Sequence, residues 1–326
     1  MSKPRKQSKA ITDVLAKLEK RYGEPVVQRM SDANTNAKTF SSGDPGVDTA
    51  LGGGYGVGKI IETYAESGCG KTGMALEAIA SVQANGGLCA IIDMEHALNT
   101  EYCEQVGVIV DDLYISQPSY GEQAFETIRG LISTGEFDLI VADSVAAFVP
   151  KAELEGESGE SKIALQARMM SQGMKLITGV ADDAGTTVMF INQLRSTIQM
   201  YGPSETTSGG RALKFYASQR IEIKKRGWIK EGDEIIGFKQ EVKVVKNKIG
   251  IPFKKTTRDI LYGKGSDKLN ALVEALVYEE IIKKNGSYFK YQDTNLAQGM
   301  KKLRIVLEDN PDLVAELEKK LAEARA

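Results

Sequence analysis

The sequence predicts an α/β fold with a mainly parallel central sheet, preceded by a helix and followed by a small α+β unit. Three observations carry this. From about residue 40 to 262, apolar runs alternate with helical periodicities, the pattern of parallel strands joined by crossover helices. One run opens directly into a glycine-bearing turn and then a helix, and three others end on polar residues. The length of 326 residues, with 42% hydrophobic and 26% charged, suits a sizeable core in two domains, or in one large domain with appendages.

Taken in order, the first element is an amphipathic helix over residues 8–22, SKAITDVLAKLEKRY. Its Ile11, Val14, Leu15, Leu18 and Tyr22 share one face. Gly23, Glu24 and Pro25 stop it, and the polar stretch near SDANTNAKTF reads as a linker. The apolar face then needs a partner, either its own domain or another subunit. Four apolar runs follow as strands: IIETY (60–64), LCAIID (88–93), FDLIVAD (137–143) and TVMFINQ (187–193). Three of them end on Asp93, Asp143 and Asn192-Gln193. Ligands in open α/β sheets bind outside the carboxyl ends of the strands, so one sheet edge should collect the polar groups of a site. In the last sixty residues, NALVEALVYEEIIKKNG reads as a helix with Leu272, Val273, Leu276 and Val277 inward and Gly286 as its C-cap. YFKY reads as a short strand. A final helix begins at Asn310-Pro311, with Asn as N-cap and Pro at the first helical position. The expected organisation is 1–33 for the helix and linker, 34–264 for the core and 265–326 for the small unit.

Composition excludes several classes of chemistry. A single histidine, His96, cannot build a His-rich zinc site or a pair of imidazole bases, and Cys69, Cys89 and Cys103 lack CxxC spacing. His96 itself reads as structural rather than catalytic. The polar, basic start MSKPRKQSKAITDV has no apolar segment of a signal peptide, and no run approaches the ~18–20 apolar residues of a membrane span. The expectation is a cytoplasmic protein with no membrane partner.

The glycine-bearing turn is Ala65-Glu66-Ser67-Gly68-Cys69-Gly70-Lys71-Thr72, a phosphate-binding loop with Ala in its first glycine position. Strand before and helix after make it more than a glycine-rich turn. Successive backbone N–H groups and a helix N-terminus converge on phosphate, Lys71 reaches the β and γ oxygens, and Thr72 ligates Mg²⁺. ATP or a related nucleotide should bind here. Asp143 has the position of the second carboxylate, which holds Mg²⁺ through water. Glu95, two residues beyond Asp93, is the candidate base for orienting and deprotonating an attacking water; otherwise it is a surface salt-bridge residue.

The residues now resemble the bacterial RecA recombinase family of ATP-dependent strand-exchange proteins, and the fold a RecA-like P-loop ATPase core. The resemblance rests on ETYAESGCGKT, AIIDMEHALNTEY, LIVADSVAAFVPKAELEGESGES, ARMMSQGMK, FINQLR, ETTSGGRALKFYAS and VKVVKNKIGIPF, which follow one another in family order over residues 40–262. The two ends resemble the family's oligomerisation helix and small C-terminal domain. The resemblance implies that Glu95 activates water, that Gln193 senses the γ-phosphate and signals to the DNA loops, and that Tyr102 stacks on the base. Asn99 stands where many members have Asp against the adenine edge. Lys246 and Lys248 match lysines that reach the nucleotide of the adjacent subunit; on their own merits they are surface strand lysines.

Two polar segments, ELEGESGESKI (153–163) and STIQMYGPSETTSGG (196–210), are too long for tight turns and read as mobile loops. The resemblance makes them the DNA-binding loops. The first carries Glu153, Glu155, Glu157 and Glu160, which repel phosphate. Its contacts should come from backbone N–H groups, Lys162 and Ile163, with Arg168, Ser171, Lys175 and Arg195 on the phosphates. In the second, Ile198 is the expected apolar wedge between bases, and Thr206, Thr207, Ser208, Gly209 and Gly210 the backbone-binding end. This loop looks one residue shorter than in familiar members, around Met200 to Ser204.

The implied activity is a DNA-dependent ATPase that polymerises on single-stranded DNA as a helical homo-oligomeric filament, pairs it with homologous duplex and exchanges strands in DNA repair and the SOS response. Repressor and loader proteins are further implied partners. Two other readings stand beside it: a ring-forming DNA motor on the same core, and an ATP-gated coating protein without turnover. Family members often end in an acidic tail, whereas this sequence ends LEKKLAEARA, which implies easier access of duplex DNA. The net charge of −2 conceals a segregated one. Residues 1–29 hold eight Lys or Arg against three Asp or Glu, and residues 209–258 hold fourteen against five, which leaves −16 elsewhere. An assembly can therefore present a basic channel that its composition averages away.

Overall fold

The computed structural model describes residues 8–23, 26–30, 37–156, 162–196 and 205–325. The chain divides into two units, residues 1–38 and 39–326. In the first, helix α1 (Lys9–Tyr22) has Ser8 as N-cap and ends at Gly23, whose φ of 78° is the left-handed conformation that glycine adopts freely. None of its residues is buried, and Ile11, Val14 and Tyr22 are exposed along one face.

The second unit begins with β1 (Thr39–Phe40), so the end of the expected linker is a short strand, paired antiparallel with β2 (Tyr55–Gly56) across α2 (Pro45–Leu51). Then come β3 (Ile60–Ala65), α3 (Lys71–Ala84), β4 (Leu88–Asp93), α4 (Thr100–Val106), β5 (Leu113–Ser116), α5 (Gly121–Thr134), β6 (Phe137–Asp143), α6 (Lys151–Leu154) and α7 (Lys162–Ala184). After them run β7 (Thr187–Ser196), β8 (Glu205–Thr207), α8 (Ala212–Tyr216), β9 (Gln219–Glu231), β10 (Glu234–Asn247), β11 (Lys255–Leu261) and β12 (Gly265–Ser266). The sheet order is β12-β11-β10-β9-β3-β7-β6-β4-β5, with β8 attached to β7. From β9 to β5 every neighbouring pair is parallel. The strands β10, β11 and β12 add an antiparallel flank that apolar periodicity did not single out.

Strand alternation explains why the sheet takes helices on both faces. Successive side chains point to opposite sides, so a strand buried on both faces reads as a continuous apolar run. Cys89, Ile91, Leu139, Val141, Met189 and Ile191 pack towards α2 and α3, while Ala90, Ile92, Ile140, Ala142, Val188 and Phe190 pack towards α5 and α7. Each fully buried Ile, Leu or Phe contributes roughly 1.5–3 kcal/mol. Register then aligns the strand ends: Ala65 lies opposite Gln193, and Asp93 opposite Asp143.

The C-terminal part has its own core. Helix α9 (Lys268–Tyr278), the three-stranded sheet β13 (Ile282–Asn285), β14 (Tyr288–Tyr291) and β15 (Thr294–Gln298), α10 (Met300–Glu308) and α11 (Pro311–Arg325) enclose Leu272, Leu276, Ile282, Phe289, Leu303, Leu307 and Leu317. Here one expectation is corrected. Gly286 does not cap a helix; α9 stops at Tyr278, and Gly286, at φ 59°, lies between β13 and β14. Ile282, which opens β13, is β-branched and, like Ile281 before it, suits a strand better than a helix. The residues Gly265 and Ser266 belong to the large sheet, and Asp267 caps α9 by accepting from the Asn270 N–H.

Candidate nucleotide site and DNA-facing segments

The phosphate loop leaves the end of β3 and turns into α3. Gly68 and Gly70 have φ of 70° and 80°, and a Cβ on Gly70 would lie 2.8 Å from Gln240 Nε2, so the turn needs glycine there for both conformation and space. Lys71 is the first residue of α3, and its ammonium donates to the carbonyls of Glu66, at 2.8 Å, and Ala65, at 3.4 Å. Burial lowers the Lys71 pKa, opposed by the charges of Cys69, Asp143 and Glu95. Its ammonium thus sits folded over the loop on neutral acceptors that an anion can replace.

Across the strand ends, Thr72 Oγ1 donates to Asp143 Oδ2 at 2.6 Å. Burial foremost, and then the nearby Glu95 carboxylate, push Asp143 up to about 6 against the Thr72 hydrogen bond. A cation between these two oxygens would relieve that cost. Among the described residues no group of three or more His, Cys, Asp and Glu is placed to hold a metal. The donor set is nonetheless apt for Mg²⁺, which keeps several waters and needs one or two protein oxygens beside substrate phosphates.

Glu95 stands exposed over this pair. Its Oε1 accepts from Ser144 Oγ and, at 3.0 Å, from Gln193 Nε2, while its own N–H donates to Asp93 Oδ1 at 3.2 Å. Gln117 Nε2 holds the other oxygen of Asp93 at 3.1 Å. The carboxylate therefore has a fixed direction, set by the ends of β4, β6 and β7. Sequence reasoning did not single out Ser144, which follows Asp143 directly, or Gln117; neither carries a pattern signal. His96 takes φ 53° at the turn and is exposed.

Beside these groups lies a cavity of about 430 Å³ whose walls include Thr72, Asp93, Asn99, Tyr102, Gln105 and Gly263. Asn99 caps α4 by accepting from the Tyr102 N–H at 2.8 Å, so its side chain is engaged by its own helix. Tyr102 leans over α3, where a Cβ on Gly73 would stand 2.7 Å from its hydroxyl. Burial raises its pKa.

Lys246 and Lys248 stand apart from this site. Lys246 pairs in register with Arg220 and lies near the start of β3, and its ammonium donates to the carbonyls of Lys214 and Phe215 at 2.8 and 3.0 Å, on the α8 side of the sheet. Burial and the neighbouring Lys248 lower its pKa. Lys248 is exposed. Along the strand, the register of Lys246 falls about 10 Å short of the phosphate loop, and on the face opposite α3.

The DNA-facing expectations divide. The segment 153–163 begins within α6 and ends in α7, with residues 157–161 outside the described residues. Lys162 pairs with Glu153 at 3.2 Å, and Ile163 is 79% exposed. Arg168, Ser171 and Lys175 follow at helical spacing on an exposed face of α7, and Arg195 is exposed near the end of β7. Ile198 lies outside the described residues, as do all of 197–204. Part of the second expected loop is a strand: Thr206 and Thr207 belong to β8, paired antiparallel with β7. Thr207 and Ser208 are buried, and the Ser208 carbonyl accepts from Asn192 Nδ2 at 3.1 Å. Gly209 and Gly210, at φ 82° and 73°, pass close to α7 and to Val145, so that a Cβ would meet Val145 or Met170 at the first and Ala167 at the second.

Residues 9–267 match the family model described as RecA N-terminal domain, and residues 270–326 the one described as RecA C-terminal domain. Curated relatives called Protein RecA include that of Dichelobacter nodosus, 47% identical over 321 residues, covering 97% of this chain and 92% of the relative. That of Fusobacterium nucleatum is 46% identical over 323 residues, 98% of this chain and 85% of the relative. That of Clostridioides difficile is 45% identical over 324 residues, 98% and 93%.

Proposed function

The chain belongs to the RecA family, and from that premise we propose how its own residues divide the work. It is an ATP-dependent recombination protein of DNA repair: a DNA-dependent ATPase that assembles as a homo-oligomeric filament on DNA and exchanges homologous strands. Neither a ring-forming motor nor a coating protein without turnover is favoured, since both chain ends match the recombinase family.

In our reading the loop from Ala65 to Thr72 cradles the triphosphate, with Lys71 transferring its ammonium from the Glu66 carbonyl to phosphate oxygens. Thr72 and Asp143 would hold Mg²⁺, whose chemistry there is to neutralise charge on the phosphates. Glu95, aimed by Ser144 and Gln193, accepts the proton of the attacking water. Tyr102 and Asn99 face the base. Gln193 lies on β7 two residues before Arg195, so a shift of its amide from Glu95 to a phosphate is passed along one strand to the DNA-facing side. Lys246 and Lys248 serve the nucleotide of an adjacent subunit, a reading supported by their distance from their own phosphate loop. The exposed apolar face of α1 is assigned to subunit contact, and boundaries at 1–33, 34–264 and 265–326 describe the division of labour. Lys162, Ile163, Arg168, Ser171, Lys175, Arg195, Ile198 and the stretch Thr206 to Gly210 are assigned to DNA. No helix among the described residues is long and apolar enough to cross a membrane; we place the protein in the cytoplasm, with repressor and loader proteins as further partners.

The observation that carries the assignment is the convergence of Glu95, Ser144 and Gln193 over the Thr72–Asp143 pair. Its test is ATP turnover with and without single-stranded DNA, together with strand exchange between a single-stranded circle and its homologous linear duplex. We expect turnover to rise at least tenfold with DNA and joint molecules to form; equal turnover in both conditions, or no exchange, overturns the reading.

A further inference from the structure

Beneath the phosphate loop runs a buried polar chain that the site described above does not use. The inward row of β10 is Phe238, Gln240, Val242 and Val244, so one amide interrupts an apolar stripe facing α3. Gln240 is 0% exposed, and directly opposite it on β11 is Arg258, 4% exposed. Arg258 Nε donates to Gln240 Oε1 at 2.7 Å. A guanidinium can only donate, so the amide orientation is fixed: Oε1 faces Arg258, and Nε2 is left to donate to the Cys69 carbonyl of the phosphate loop, a contact the structure contains.

The rest of the chain holds Arg258 in place. Its Nη1 pairs with Glu77 Oε2 on α3 and lies 3.4 Å from Oδ2 of Asp44, whose other oxygen caps α2. The second oxygen of Glu77 accepts the Ser266 N–H at 2.9 Å. Burial opposes the charge on Arg258, but Glu77 and Asp44 outweigh it and raise its pKa. A β-bulge adds to the aim: Lys239 pairs with Gly227 and Gln240 with Lys225, so Arg226 is extra in β9 and the register shifts at Gln240.

We infer that Gln240 is a positioning residue for nucleotide binding, set by Arg258, Glu77 and Asp44, which fixes the Cys69–Gly70 peptide so that its N–H faces the phosphates. In a trans peptide the carbonyl and the N–H point in opposite directions, so a donor on the Cys69 oxygen from below orients the Gly70 N–H above. The absence of a side chain at Gly70 is what admits the amide. Most residues that tune a phosphate loop belong to the loop; here the tuning comes from a strand two places away in the sheet.

The inference rests on the ATPase reading and is tested with the full chain by titrating a fluorescent, slowly hydrolysed ATP analogue. Gln240→Glu preserves shape and strengthens the pairing with Arg258, but sets a carboxylate oxygen against the Cys69 carbonyl. Gln240→Met preserves volume and removes the donor. Both variants should bind the analogue about tenfold more weakly. The KM for ATP should rise in proportion, while the DNA-saturated kcat falls less than about threefold. Arg258→Lys, which keeps the charge and loses the Nε donor, should weaken binding about threefold. Affinities within twofold for both Gln240 variants overturn the inference. So does a loss confined to Gln240→Met and accompanied by a lower melting temperature, because that marks packing alone. If the unaltered protein fails to bind the analogue, the ATPase reading falls with it; if it binds and the Gln240 variants bind equally, only the positioning role fails.

Discussion

The carboxyl end of β7 lies between two regions with very different surroundings. At the nucleotide edge, Gln193, Glu95, Ser144, Thr72 and Asp143 already hold one another, and Lys71 rests on loop carbonyls. On the side assigned to DNA, Ile163, Lys175 and Arg195 are exposed. In the proposed reading, nucleotide chemistry thus depends on groups built in advance by strand register, in the sense that preorganised donors cost little reorganisation when the substrate arrives. On the same reading, DNA contact draws instead on side chains presented at a helix face and a strand end, which suits a ligand whose sequence varies and whose backbone is constant.

The sharpest way to separate the two regions is Glu95→Gln. Removing the proton acceptor should lower DNA-dependent ATP turnover by about 10²-fold or more, while nucleotide-dependent binding to single-stranded DNA stays within about twofold of normal; a filter-binding assay beside a phosphate-release assay checks both. A parallel loss of DNA binding would show that the two regions are not separable. Next comes the buried carboxyl. Asp143, raised to about 6 from 3.8, keeps its proton in the folded, nucleotide-free chain where the unfolded chain has lost it. Between those values the folded state binds more protons, so the stability contributed at this position falls as pH rises through the window and is level above it. Melting curves of the nucleotide-free protein against Asp143→Asn, from pH 4 to 7, should show the difference declining by up to about 2–3 kcal/mol. Added Mg²⁺ with nucleotide should flatten it. The smallest effect is expected at Lys175→Ala. Affinity for single-stranded DNA should fall about threefold and the salt dependence should lose about 0.7 in log–log slope, with ATP affinity unchanged.

How much of this could be read beforehand depended on what kind of pattern each residue belongs to. The four parallel strands were legible because burial on both faces makes them continuous apolar runs, and Lys71, Thr72 and Asp143 because each stands at a fixed offset from a strand end. Glu95 stood out by its offset to Asp93, and Tyr102 and Gln193 only by resemblance; Lys246 and Lys248, also named only by resemblance, lie away from the phosphate loop. Ser144 and Gln117 were invisible, since a serine after a strand and a glutamine in a loop have no periodic context. Gln240 and Arg258 escaped for a related reason: in a row such as FKQEVKV a buried amide looks like another solvent-facing polar residue until the opposite strand is known. Gly286 misled because a glycine after an apolar helix signals a cap, and only the competition of Ile281 and Ile282 for a strand moves the helix end earlier.

The placement of Lys246 and Lys248 away from their own phosphate loop has an arithmetical consequence. If each nucleotide needs the loop of one subunit and the lysines of the next, an open polymer of n subunits contains n − 1 finished sites, whereas a closed ring contains n. The contact is head to tail, so it neither saturates in a dimer nor closes unless the rotation permits. One terminus of every polymer must then present a nucleotide without its second set of cations and the other a set of cations without a nucleotide. On that reading, growth and loss at the two tips would start from chemically unlike ends, and the polymer would have a direction before any DNA is bound.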